Sequence, residues 1–121
     1  MSIFLNLVVI RSINIEKSVS FYQHLGLMFN KERHGNGPEH YACELENLVF
    51  EIYPSTEIDV NTRIGFNVES LEEIVNNIRA KGGLIITEPI SSPWGKRAVL
   101  QDPDGHKVEL LQPTSEEQRN G

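Results

Sequence analysis

The chain has 121 residues, with 11 Lys and Arg against 17 Asp and Glu, 39% hydrophobic residues and one cysteine. That length fits one domain, or two very small modules that share a core, and can bury roughly 65% of the unfolded surface without a disulfide or metal to help it fold. The formal charge of −6 argues against a nucleic-acid binder, which would carry a basic stripe, and against an anionic membrane surface. The single Cys43 has no internal disulfide partner, so a reducing compartment is expected. The longest apolar stretch, residues 3–10, is interrupted by Asn6 and falls far short of the ~20 residues of a membrane helix. It has no basic leader or cleavage pattern. The expectation is a cytoplasmic protein.

In chain order, residues 3–11 are rich in Ile, Val and Leu and predict a strand. Asn14 is a helix N-cap candidate. Ile15, Val19 and Tyr22, widened by Phe21 and Leu25, make a helical stripe that Gly26 ends. Residues 27–32 predict an extended segment, and 34–39, with Gly35, Gly37 and Pro38, an open loop. Residues 41–45 and 48–53 predict two more strands, followed by a polar connection over 55–61.

The second half repeats this order. Residues 63–68 predict a strand. Ser70-Leu71-Glu72-Glu73 reads as a capping box and opens a stripe of Leu71, Ile74, Val75 and Ile78, stopped by Gly82 and Gly83. Residues 84–87 predict a strand and 89–95 a loop that carries Trp94. Residues 96–101 and 107–111 predict the last two strands, joined by the turn Asp102-Pro103-Asp104-Gly105. Ile15 to Leu71, Val19 to Val75, Tyr22 to Ile78 and Gly26 to Gly82 are all offset by 56, and Glu51 to Glu109 by 58. The order is therefore βαβββ twice, an α+β fold of two modules (3–54 and 62–113) within one domain over 1–113. The linker is 55–61, and 114–121 is expected to be a flexible tail. Each half is too small to cover a sheet alone, so the halves are expected to pair.

Alternation along the strands separates two faces. Val8, Ile10, Phe50, Ile52, Ile64, Phe66, Val68, Val108 and Leu110 make one apolar face, which must take the helices. The other mixes Leu7, Val9 and Tyr53 with Glu51, Arg63, Lys107 and Glu109. Two such sheets, curved and paired, would turn the mixed faces towards a shared cup. Polar groups on apolar walls suit a small molecule.

The paired βαβββ order resembles the glyoxalase, bleomycin-resistance and extradiol dioxygenase superfamily, the vicinal oxygen chelate fold. So do the run Leu7-Val8-Val9-Ile10-Arg11 leading to Glu16-Lys17-Ser18-Val19-Ser20-Phe21-Tyr22, and Trp94-Gly95 before Asp102-Pro103-Asp104-Gly105-His106-Lys107-Val108-Glu109-Leu110. The resemblance implies four metal ligands, one from each of the first, fourth, fifth and eighth strands, of types His or Gln, Glu, His and Glu. The matching positions here are Leu7, Glu51, Arg63 and Glu109. Leu7 has no donor atom and Arg63 is a permanent cation, so no metal is expected at these vestigial positions and no other cofactor is implied. A divalent ion is disfavoured by both residues, because catalytic zinc usually needs three protein ligands.

Arg63 could instead bridge Glu51 and Glu109; if it is buried, removing it would leave two carboxylates facing each other, at a cost of ~3–5 kcal/mol. The resemblance also allows the cup to be shared between two chains. The expected ligand-binding set is Leu7, Val9, Glu51, Tyr53, Arg63, Asn67, Trp94 and Glu109. The ligand is a small molecule, cationic if the acidic balance is the guide, and the protein a homodimer. In the alternative, a lyase, isomerase or dioxygenase with an altered site, Glu51 and Glu109 are the catalytic bases and Arg63 steadies an oxyanion. His24 and His106 are expected to be solvated. His34 and His40 flank the loop near Glu32; they are expected as a surface pair, with an acid–base role or a relocated metal site as the other reading. Cys43 is expected to be a small core residue.

Overall fold

The computed structural model describes residues 5–57 and 62–114, and the chain divides into two compact units, Met1–Asp59 and Val60–Gly121.

Unit one runs β1 (Leu7–Ser12), α1 (Ile15–Leu25), β2 (Asn30–Glu32), β3 (His40–Glu44) and β4 (Val49–Pro54). Its sheet has the order β1-β4-β3-β2, with β1 parallel to β4 and the other pairs antiparallel. Asn14 caps α1, its side-chain oxygen accepting the Lys17 N–H at 3.2 Å. Gly26, at φ +114°, takes the left-handed conformation that ends the helix. The buried stripe of α1, with Val19, Phe21 and Tyr22, packs on the sheet through Ile10, Phe50 and Ile52. Tyr22 meets Phe50 edge-on with centroids 5.1 Å apart, and meets Phe21 in the same way at 5.0 Å. Each such pair adds about 0.5–1.5 kcal/mol beyond area burial.

Unit two runs β5 (Arg63–Asn67), α2 (Leu71–Ala80), β6 (Leu84–Ser92), β7 (Gly95–Gln101) and β8 (Lys107–Pro113), with sheet order β5-β8-β7-β6. Its parallel pair is β5 with β8, so the topology repeats that of unit one strand for strand. Leu71, Val75 and Ile78 of α2 bury with Ala98, Leu100, Val108 and Leu110.

Four local expectations need correction. The first strand starts at Leu7; residues 3 and 4 of the expected span, like 58–61 and 115–121 of the linker and tail, lie outside the described residues. The expected loop over 89–95 is largely strand, because β6 continues through Pro89 to Ser92. β6 is the edge of its sheet and shifts register between Ile85 and Thr87 and again between Thr87 and Ile90. An edge and a bulge are where a missing N–H does least harm. Ser70 makes no side-chain cap bond; instead the Leu71 N–H donates to Gln112 Oε1 of β8 at 2.9 Å. His106 is buried. Asp102 Oδ1 accepts the backbone N–H groups of Asp104 and His106, both at 2.9 Å, and so closes the turn.

Among the described residues, no helix is long and apolar enough to cross a membrane.

Candidate functional site

Strand register fixes what each mixed face presents. In unit one, Leu7, Val9 and Arg11 lie opposite Val49, Glu51 and Tyr53. Ala42 lies opposite Glu51, and Glu32 opposite His40. In unit two, Arg63 pairs with Lys107 and Gly65 with Glu109. Val99 lies opposite Glu109, Arg97 opposite Leu111 and Ile90 opposite Arg97. The α-helices occupy the other face of each sheet, as the alternation predicts.

The unit-two face centres on Glu109. Its Oε1 accepts from Arg97 at 2.8 Å and from Arg63 at 3.1 Å. These two hydrogen bonds, Arg97 first, hold the Glu109 carboxyl below its ordinary range. Arg97 had no place in the sequence reading. The signal was there, since the tight turn after β7 sets the hairpin register and puts Arg97 diagonal to Glu109. Arg63 is 54% exposed, so the energy expected of a buried bridge does not apply, and the pair belongs with surface ion pairs of about 0–1 kcal/mol.

Unit one assembles a different group. His40 is 1% exposed, which corrects the expected surface pair; His34, its neighbour across the loop, is exposed. His40 is held in place by the Tyr53 ring, stacked at 4.1 Å and 8°, and by Pro38, whose carbonyl oxygen lies 3.3 Å from Nδ1. Its Nε2 faces Glu32 Oε1 at 3.4 Å and Glu51 Oε2 at 3.7 Å. The same Glu32 oxygen lies 3.4 Å from His34 Nε2. Glu51 is 15% exposed. The sequence pairs His34 and His40 near Glu32 but does not bring Glu51 to them, because that join depends on the β3–β4 register.

The remaining candidates are placed more simply. Leu7 and Val9 are exposed, as is Asn67. Trp94 is 69% exposed in the turn between β6 and β7, where its backbone N–H donates to Ser92 Oγ at 3.3 Å. Tyr41, unplaced by sequence, donates its hydroxyl to Glu16 Oε2 at 3.0 Å. Cys43 is buried, and burial pushes its thiol up, as expected of a core residue and not of a nucleophile. His24 is only partly exposed, its Nδ1 2.6 Å from the Ser20 carbonyl oxygen.

The donor set does not fit the four-ligand metal implied by the resemblance. Leu7 offers no lone pair, Arg63 brings a fixed positive charge, and Glu109 is already shared by two guanidinium groups.

Comparison with known proteins agrees with this architecture. A family model described as the Glyoxalase/Bleomycin resistance protein/Dioxygenase superfamily matches residues 4–110, and the chain belongs to that superfamily. It is 31% identical over 127 aligned residues to a probable lactoylglutathione lyase of Synechocystis sp., covering 93% of this chain and 97% of the relative. It is 29% identical to a lactoylglutathione lyase of Arabidopsis thaliana, covering 90% of this chain but 44% of the relative, so the chain spans under half of that longer protein. Among solved structures, an antibiotic-binding protein from Streptomyces sp. CB03234 superposes with a TM-score of 0.77 at 20% identity, covering 94% of this chain and 99% of the other. A glyoxalase I variant from Zea mays gives 0.76 at 21%, covering 92% of this chain and 46% of the other. These structural likenesses establish the fold.

Proposed function

We propose that the chain binds a small organic molecule on its mixed sheet faces, without the metal used by the four-ligand members of its superfamily. The observation that carries this is the pair of replacements at the nitrogen-ligand positions, Leu7 and Arg63, together with the double guanidinium clamp on Glu109. The antibiotic-binding relative supports a binding role, as do the exposed apolar groups beside fixed charges on each face. We place the protein in the cytoplasm as a homodimer.

The ligand's charge depends on the face it meets. The unit-two face carries Arg63, Arg97 and Lys107 against Glu109, and suits a carboxylate or similar acid. The unit-one face, with Glu32, Glu44 and Glu51 against Arg11, suits a cation. The expectation of a cationic ligand from the net charge therefore covers only half the chain.

The test is a nitrogen-15 amide titration with two probes of one shape, 1-naphthoate and 1-naphthylmethylammonium. Naphthoate should move the Arg63, Asn67 and Glu109 resonances, and Arg63→Gln should weaken it several-fold. Shifts scattered over the helices, or none from either probe, would refute the binding role.

A second reading is a lyase with an altered site, favoured by the names of the sequence relatives. Here Glu51 or His40 moves the proton. Lactoylglutathione lyase turnover that is abolished by Glu51→Gln would replace the binding role with this one.

A further inference from the structure

His40 poses a charge problem that the chain does not solve alone. The ring is buried, yet its Nε2 has no hydrogen-bond partner among the described residues. The Pro38 carbonyl beside Nδ1 can only accept a hydrogen bond, so Nδ1 carries the proton. In the neutral ring, that leaves the Nε2 lone pair pointing at two carboxylates, Glu32 and Glu51. Lone pair and carboxylates repel unless a cation lies among them.

We propose that this cation is a divalent transition metal, with zinc as the reference case, held in unit one by Glu32, His34, His40 and Glu51. One donor atom from each of the four lies within 4.8 Å of all the others. Tetrahedral ligands about 2.0–2.1 Å from zinc are themselves about 3.3 Å apart. The separations of Glu32 from His34 and from His40, both 3.4 Å, and of His40 from Glu51, 3.7 Å, come close to that figure. His34, exposed on the loop, is the ligand with room to close the rest. Two carboxylates and two neutral imidazoles balance a charge of +2, and a nitrogen–oxygen set selects zinc, cobalt, nickel or copper over magnesium or calcium, which take oxygen. The Nδ1–H contact to Pro38 and the stack on Tyr53 are the outer support that orients a metal-bound imidazole.

This site shares only Glu51 with the four positions implied by the resemblance, and its ligands all come from β2, the following loop, β3 and β4. It stands whether or not the mixed faces bind an organic molecule.

The experiment uses the untagged full chain, stripped with a chelator and titrated with cobalt(II), then zinc. One equivalent of cobalt should give the visible bands of a four-coordinate nitrogen–oxygen site, displaced by zinc, and metal should move the His34 and His40 ring nitrogen signals. Glu32→Gln and His34→Ala alter accessible side chains, so their amide spectra should stay native while zinc affinity falls at least about tenfold. His40→Gln should abolish binding, but the two surface variants carry the test if that variant does not fold. Unchanged affinity in both surface variants would overturn the proposal. So would loss of binding in Glu109→Gln alone, which would place the metal at the superfamily's usual positions. A third overturning result is no zinc uptake at micromolar free metal with both His40 ring nitrogens protonated, which would make a proton the missing cation.

Discussion

At the scale of single residues, Glu109 shows how a position kept from a metal-binding pattern acquires other work. Its carboxylate accepts from Arg97 and Arg63, which lowers its pKa in the folded chain. A carboxyl with a depressed folded pKa stabilises the fold above its unfolded pKa, and loses that contribution as pH falls through the folded value. Glu109 is 34% exposed, so solvent screening limits the contribution to under about 1 kcal/mol. Urea midpoints should therefore show Glu109→Gln destabilised by up to about 1 kcal/mol near neutrality, with the gap closing in acid and shrinking in high salt. A gap that persists in acid would mean the glutamine harms packing and not charge. Glu51 has the same strand position in the other unit but a different neighbour, the buried His40. Residue type alone could not tell the two carboxylates apart; that took the identity of the residue diagonal to each on the neighbouring strand, His40 for Glu51 and Arg97 for Glu109.

At the scale of elements, what the sequence made legible was periodicity, and what it hid was anything bonded across strands. The stripes of α1 and α2, the glycine stop at Gly26 and the two faces of β1, β4, β5 and β8 follow from spacing of 3.6 or 2 residues. Pro89 misled because proline opposes a central strand but not an edge one. Ser70 misled because a capping box is a local pattern, and the Leu71 N–H is met by Gln112, 41 residues away. This makes a discriminating pair of variants. Gln112→Ala should cost about 1 kcal/mol in urea unfolding, the worth of a cap bond, while Ser70→Ala should cost a few tenths at most. The reverse order would restore the local capping box. Gly95 is a position where backbone geometry dictates the residue. At φ +137°, a Cβ there would run into the Gln112 carbonyl and come within 2.9 Å of the Pro113 Cα, so β7 and β8 can close their pairing only around glycine.

At the scale of the whole chain, the −6 total conceals an opposite arrangement on the two mixed faces. Among the described strand residues, that of unit one holds Glu32, Glu44 and Glu51 against Arg11, and that of unit two holds Arg63, Arg97 and Lys107 against Glu109. The halves repeat in topology, and so in where side chains point, but they have diverged in which charges stand there. A ligand feels the local field, which decays within about 8–10 Å at ordinary ionic strength, and not the sum over the chain. Naphthoate affinity should therefore fall several-fold as salt rises from about 0.05 to about 0.5 M, with the shifted resonances still confined to unit two. The ammonium probe should lose affinity over the same range from unit-one residues. Binding that is indifferent to salt would mean that Leu84, Ile90 and Leu111 hold the probe by apolar contact alone, and that the arginines serve only to restrain Glu109.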